Sequence, residues 1–116
     1  MKYGAFYRGE ECVLGSVRHA ANPWTRLRGL LGRPMLADGE GLLIEPCGSV
    51  HTFGMRYRVD LVYLDRENRV VDICANLGPW RTHRARARAR KTLELAAGGI
   101  EKFNPLIGEQ LTWRLH

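Results

Sequence analysis

With 116 residues and 45% hydrophobic side chains, the chain has material for one soluble domain with a core and none for a second. A formal charge of +6 and a pI near 9.7 favour anionic partners in general and name none. No run approaches the roughly eighteen apolar residues of a membrane span, and residues 1–8 lack the apolar stretch of a secretory signal, so a cytoplasmic protein is expected. Cys12, Cys47 and Cys74 are odd in number and share no spacing, which points to buried, reduced thiols and calls for no metal or other cofactor.

Residues 12–18 predict a strand, with Val13 and Val17 on one face, Cys12 and Leu14 on the other, and Gly15 as a bulge. Asn22 and Pro23 then suit a helix N-terminus, and Trp24, Leu27, Leu30 and Leu31 recur at helical spacing until Gly32 and Pro34 end the run. A turn over residues 38–41 leads to a short strand, Leu42, Leu43 and Ile44, apolar on both sides and therefore central; Pro46 closes it.

Residues 49–56 predict an extended segment with Ser49, His51, Phe53 and Met55 on one side and Val50, Thr52, Gly54 and Arg56 on the other. Residues 57–64 continue as a strand: Tyr57, Val59, Leu61 and Tyr63 face one way, Arg58, Asp60, Val62 and Leu64 the other. Asp60 is the misfit. Residues 65–69 have the polarity of a hairpin loop with Asn68 left-handed, and residues 70–75 form the return strand.

Residues 76–81 break the pattern in a loop carrying Trp80. Arg84, Arg86, Arg88 and Arg90 then alternate with alanines and end in Lys91. If extended, this is a one-sided row of arginines about every ~6.7 Å; if helical, the row disperses. Leu93 to Leu95 reads as a strand, residues 96–104 as a short helix stopped by Pro105, and Leu111, Trp113 and Leu115, alternating with Gln110, Thr112 and Arg114, as a last strand. Many short strands, two short helices and no long crossovers predict a mainly β fold, an antiparallel sandwich or barrel.

With these residues laid out, the chain resembles the bacterial and archaeal family known as domain of unknown function 192 from about Cys12 to Leu115. The resemblance rests on Arg28-Gly29-Leu30-Leu31-Gly32-Arg33, Gly41-Leu42-Leu43-Ile44 with Pro46-Cys47, and above all Val50-His51-Thr52-Phe53-Gly54-Met55-Arg56. Asp60 to Asp65, Pro79-Trp80-Arg81, Leu93-Glu94-Leu95 and Gly108-Glu109 extend it. Gly54 stands where the family usually has a bulkier apolar residue, Glu109 where it usually has Asp, and the arginine row is peculiar to this chain. The resemblance implies a mainly β, sandwich-like fold and no activity.

Cys47 and His51 offer a thiol and an imidazole for a minimal enzyme or two metal ligands, yet four strand residues span roughly 13 Å. Asp60 in an apolar strand calls for a partner, with Arg56 or Arg58 nearest in sequence. A polar pocket on the central strands follows if His51, Arg56, Asp60, Trp80 and Arg81, with Cys47 nearby, converge on an anion. Arg84, Arg86, Arg88, Arg90 and Lys91 form a candidate basic surface for nucleic acid or an acidic partner; four phosphate contacts would give a salt slope of about −3.6 on duplex DNA. A small ligand-binding or interaction module is the leading reading. The minimal enzyme and the basic surface are the alternatives.

Overall fold

The computed structural model describes residues 2–20 and 36–116. The helix expected over residues 22–33 lies outside them. The chain runs β1 (Lys2–Arg8), β2 (Glu11–Ala20), β3 (Glu40–Ile44), β4 (Ser49–His51), β5 (Val59–Leu64), β6 (Val70–Leu77), β7 (Thr82–Arg84), β8 (Lys91–Ala96), α1 (Gly99–Phe103) and β9 (Thr112–Leu115). Seven strands form one sheet in the order β6-β5-β8-β3-β2-β1-β9, and β4 pairs with β7 in a separate two-stranded layer.

β1 escapes the sequence reading because Gly4 and Ala5 dilute its pattern. Gly4 is required there: a Cβ would lie 2.5 Å from the Trp113 ring of β9. β2 carries an extra residue between its pairings Gly4↔Val17 and Phe6↔Leu14, where Gly15 was expected to bulge, and the kink turns both Leu14 and Val17 into the core. Pairing among the described strands is mainly antiparallel, as expected, and β2 with β3 forms a parallel pair within it, so the sheet is mixed.

The edges of the sheet meet. The amide of Val70 on β6 donates to Glu109 O at 2.9 Å, Gly108 N to Val70 O at 2.7 Å and Leu111 N to Asn68 O at 3.0 Å. Arg8 grips both carboxylate oxygens of Glu109 at 2.7 and 2.8 Å and draws that carboxyl below its usual pKa. This closes a barrel-like body, as the strand count suggested. Inside lie Phe6, Leu14, Val17, Leu43, Val62 and Leu93 with Phe103 of α1. Leu42, Ile44, Val59, Leu61 and Tyr63 point outward, into a second core beneath the β4–β7 layer. Both faces of β5 are therefore buried, and its alternation is the one expected from sequence.

Asp60 faces the α1 side of β5 and is 2% exposed. Its Oδ1 accepts from the amide of Asn76 at 2.7 Å, where β6 bulges and Asn76 takes φ 60. Its Oδ2 accepts from Gly98 N at 3.1 Å and Ile100 N at 2.9 Å. The N-cap residue of α1, Gly98, has no side chain to do this, so a carboxylate from a distant strand caps the helix. Backbone amides take the place of the arginine partner expected for Asp60.

Asp60→Ala leaves three amides without an acceptor at a buried site and is expected to lower unfolding free energy by about 3–5 kcal/mol. Urea denaturation checks it. A loss within measurement error of zero would mean that water reaches these amides.

Candidate functional site

The outer layer is built by β4 and β7, with His51 opposite Thr82, Val50 opposite His83 and Ser49 opposite Arg84. Beyond His51 the chain does not stay extended as the alternating pattern predicts. It turns: Met55 N donates to Thr52 O at 3.1 Å, and Gly54 takes φ 83, a region that favours glycine. Met55 and Thr52 thus go down into the outer core, while His51 and Phe53 remain exposed.

Thr52, fully buried, ties this turn to the loop before β7. Its amide donates to Arg81 O at 2.8 Å and its carbonyl accepts from Trp80 N at 3.0 Å. Its hydroxyl donates to Gly78 O at 2.6 Å and accepts from Arg81 N at 2.9 Å. Trp80, between these anchors, has φ 60 and is 68% exposed. Its ring stacks on Phe53 with centroids 5.8 Å apart, and Phe53 lies 5.3 Å from the ring of His51. Three rings therefore stand in solvent in one run, beside the exposed Arg81.

The arginine row continues from β7 along the same layer, neither a regular strand nor a helix. Ala85 N donates to Gly48 O at 3.0 Å, Cys47 N to Arg90 O at 2.9 Å and Arg90 N to Leu64 O at 2.8 Å. Ala85 and Ala89 pack on the outer core, and Arg84, Arg88 and Arg90 project outward. Arg86 is committed elsewhere: its Nη2 donates to Asp72 Oδ1 and its amide to Asp72 Oδ2, each at 2.8 Å. That guanidinium holds the Asp72 carboxyl down at about 2. Lys91 is half-buried, with its ammonium on Asn68 Oδ1 at 2.6 Å. Arg88 and Arg90, with Arg66, Asp65 and Glu67, line an open recess of about 540 Å³.

Of the residues named from sequence for a pocket, His51 and Trp80 each lie beside the ring of Phe53, and the backbone of Arg81 is bonded to Thr52. Arg56 is exposed just after the turn. Asp60 lies on the opposite side of the sheet, bound to amides. Cys47 sits at the far end of β4 and donates its thiol hydrogen to Ser49 O at 2.9 Å. The structure shows no hydrogen bond between Cys47 and His51. Among the described residues no group of three His, Cys, Asp or Glu side chains is arranged to hold a metal ion, and no helix is long and apolar enough to cross a membrane.

Two polar features of the outer core were not foreseen. Tyr63 places its hydroxyl 2.8 Å from His83 Nδ1, and burial pushes the phenol well above its usual pKa. Glu94, paired with Leu42 and Leu61 on neighbouring strands, is 4% exposed, and among the described residues its Oε2 has no hydrogen-bond partner. Burial raises its pKa from 4.5 to about 7. In sequence, Thr92, Glu94 and Ala96 look like the wet side of a strand; only the central position of β8 reveals them as covered.

Residues 7–113 match the domain of unknown function 192 family, described as Uncharacterized ACR. A UPF0127 protein of Pyrococcus horikoshii is 38% identical over 65 residues, which are 56% of this chain and 56% of that protein. A UPF0127 protein of Thermococcus sibiricus is 29% identical over 106 residues, 87% of this chain and 68% of that protein. The matched stretch thus spans between about half and two thirds of these relatives' length. A crystal structure of a protein of unknown function from Novosphingobium aromaticivorans superposes with a TM-score of 0.81 at 19% identity, covering 96% of this chain and 84% of that one. One from Sinorhizobium meliloti, described as a candidate transcription regulator, gives 0.79 at 19% identity, covering 97% and 92%.

Glu94 gives stability a particular pH dependence. Below pH 4.5 the carboxyl is neutral in folded and unfolded chains alike; from 4.5 to about 7 only the unfolded chain releases the proton, so stability falls as pH rises. The loss is complete above that window and amounts to about 3 kcal/mol. Glu94→Gln is expected to be the more stable protein at pH 8, by an advantage that disappears near pH 4. Denaturation midpoints of the two proteins across this range decide the matter: a difference independent of pH would mean that Glu94 is solvated or paired.

Proposed function

The chain belongs to the domain of unknown function 192 family, and on that premise we propose that it is a small binding module whose ligand carries a flat ring and a negative charge. The ligand lies on the outer face of the β4–β7 layer, against His51, Phe53, Trp80 and Arg81. The observation that carries this reading is the exposed run of stacked rings. An indole that is 68% exposed leaves apolar surface in water, and a left-handed tryptophan backbone adds about 1–3 kcal/mol of local strain. The first cost is recovered when a flat ligand covers the ring. Thr52 holds the backbone on either side, so little ordering is left for binding to supply. The guanidinium of Arg81 offers a fork of donors to a phosphate or carboxylate.

The enzyme alternative is weaker on this geometry. A nucleophilic thiol needs a base within hydrogen-bond reach, whereas the Cys47 thiol hydrogen is directed at a carbonyl and the His51 ring at Phe53. The solved structures, at 19% identity, speak for the fold and not for a ligand.

A nucleoside monophosphate serves as a probe because it combines a flat ring with an anion. Calorimetric titration is expected to show weak binding by the wild type and a loss of about tenfold or more in Trp80→Ala or Phe53→Ala, since ring stacking contributes on the order of 1–3 kcal/mol. Both side chains are exposed, so the variants keep the fold. Equal affinity in Trp80→Ala would rule out the ring run as the site.

A further inference from the structure

We propose that the outer layer binds single-stranded nucleic acid, its bases stacking at Trp80 and Phe53 and its phosphates following Arg81, Arg84, Arg88 and Arg90. This rests on the reading of the ring run as a ligand site and names the ligand. Two features that the sequence presents separately are joined in space by the pairing of β4 with β7. The ring run occupies one end of that pair, at His51 and Thr82, and the arginines begin at Arg84, two residues further along β7. The row then follows β4 backwards, past Gly48 to Cys47. β4 contributes three extended residues, about 7 Å from Ser49 to His51, and with the rings at one end and the residues beyond Gly48 at the other the track suits about four nucleotides, the lower limit for single-strand modules.

Charge on this track is available. Among the described residues, Arg81, Arg84, Arg88 and Arg90 make no ion pair, while Arg86 is spent on Asp72 and Lys91 on Asn68. Ala85 and Ala89 keep the backbone close to the core, so the guanidiniums stand on a fixed support rather than a loose tail. Stacking decides between one strand and two. A duplex turns its bases inward against each other and leaves no face for Trp80, whereas a single strand offers one per nucleotide. Arginines alone would not make that distinction.

The test is fluorescence anisotropy with a labelled oligothymidylate and a duplex of equal length, titrated at several salt concentrations. The single strand is expected to bind more tightly than the duplex, with a log–log salt slope of about −2.8, from four contacts at about −0.7 each. Trp80→Ala is expected to lose about tenfold with the slope unchanged. Arg84→Ala or Arg88→Ala is expected to flatten the slope by about 0.7. Equal affinity for the duplex, or equal binding by wild type and Trp80→Ala with heparin displacing the oligomer from both alike, would reduce the surface to a general polyanion site and overturn the proposal. No oligonucleotide binding at low salt overturns it too. The nucleoside monophosphate then separates the two readings: if it still binds through Trp80, the ligand module stands and the nucleic acid falls, and if it does not, both fall.

Discussion

β5 has no solvent face. All six of its residues are buried, with the barrel interior on one side and the outer core on the other. A polar group on such a strand or its neighbours has to find its partner inside the protein, because water cannot supply one. Asp60 does so through three amides, and in the same act caps α1 and fixes the bulge of β6. Tyr63 does so through His83. Glu94 has no partner for Oε2 among the described residues and holds its proton to about pH 7 instead. Among the described residues, the exposed rings and arginines of this region lie on the layer that does the covering.

That layer is thin, and its chemistry follows from its position. One side must be apolar or small to rest on Leu61, Tyr63 and Ile44; the other meets water. Ala85 and Ala89 meet the first requirement with the least bulk, which lets the chain lie low enough for its amide and carbonyl groups to bond with Gly48, Cys47 and Leu64. Arg86 fastens the segment to β6 through Asp72. The two carboxyls of this region respond oppositely to their surroundings. Asp72 beside a guanidinium is held near 2 and favours the folded chain above the acid range, while Glu94 in an apolar setting is raised and disfavours it toward neutral pH.

The sequence made β5, the Asn68 turn, the return strand and the last strand legible, because alternation over a few residues survives whatever surrounds it. Pairing is another matter. Nothing local in residues 11–20 and 40–44 declares that they run parallel, and closure by residues 108–111 depends on chain more than a hundred residues removed from β1. Asp60 was visible as a misfit, yet its partners were not: an amide belongs to every residue, so no side-chain pattern points to it. The turn at Thr52 was hidden for the opposite reason. His51, Phe53 and Met55 alternate as in a strand, and only Gly54 with its positive φ marks where the alternation stops describing the backbone.

The same turn explains how so small a layer both holds itself in place and presents a surface. Within residues 51–55, Thr52 and Met55 are buried and bind the turn to the core, while His51 and Phe53 face outward. Had the segment continued as a strand, Met55 would share the side of His51 and Phe53, and either a buried anchor or the exposed rings would be lost. By turning, the chain assigns support and display to different residues. The arginine row divides its residues likewise, with Ala85 and Ala89 beneath, Arg84, Arg88 and Arg90 above, and Arg86 serving as an anchor through Asp72. Exchanging an outward side chain on either segment therefore alters what the layer can hold without disturbing the packing that supports it, so surface and fold are free to vary independently.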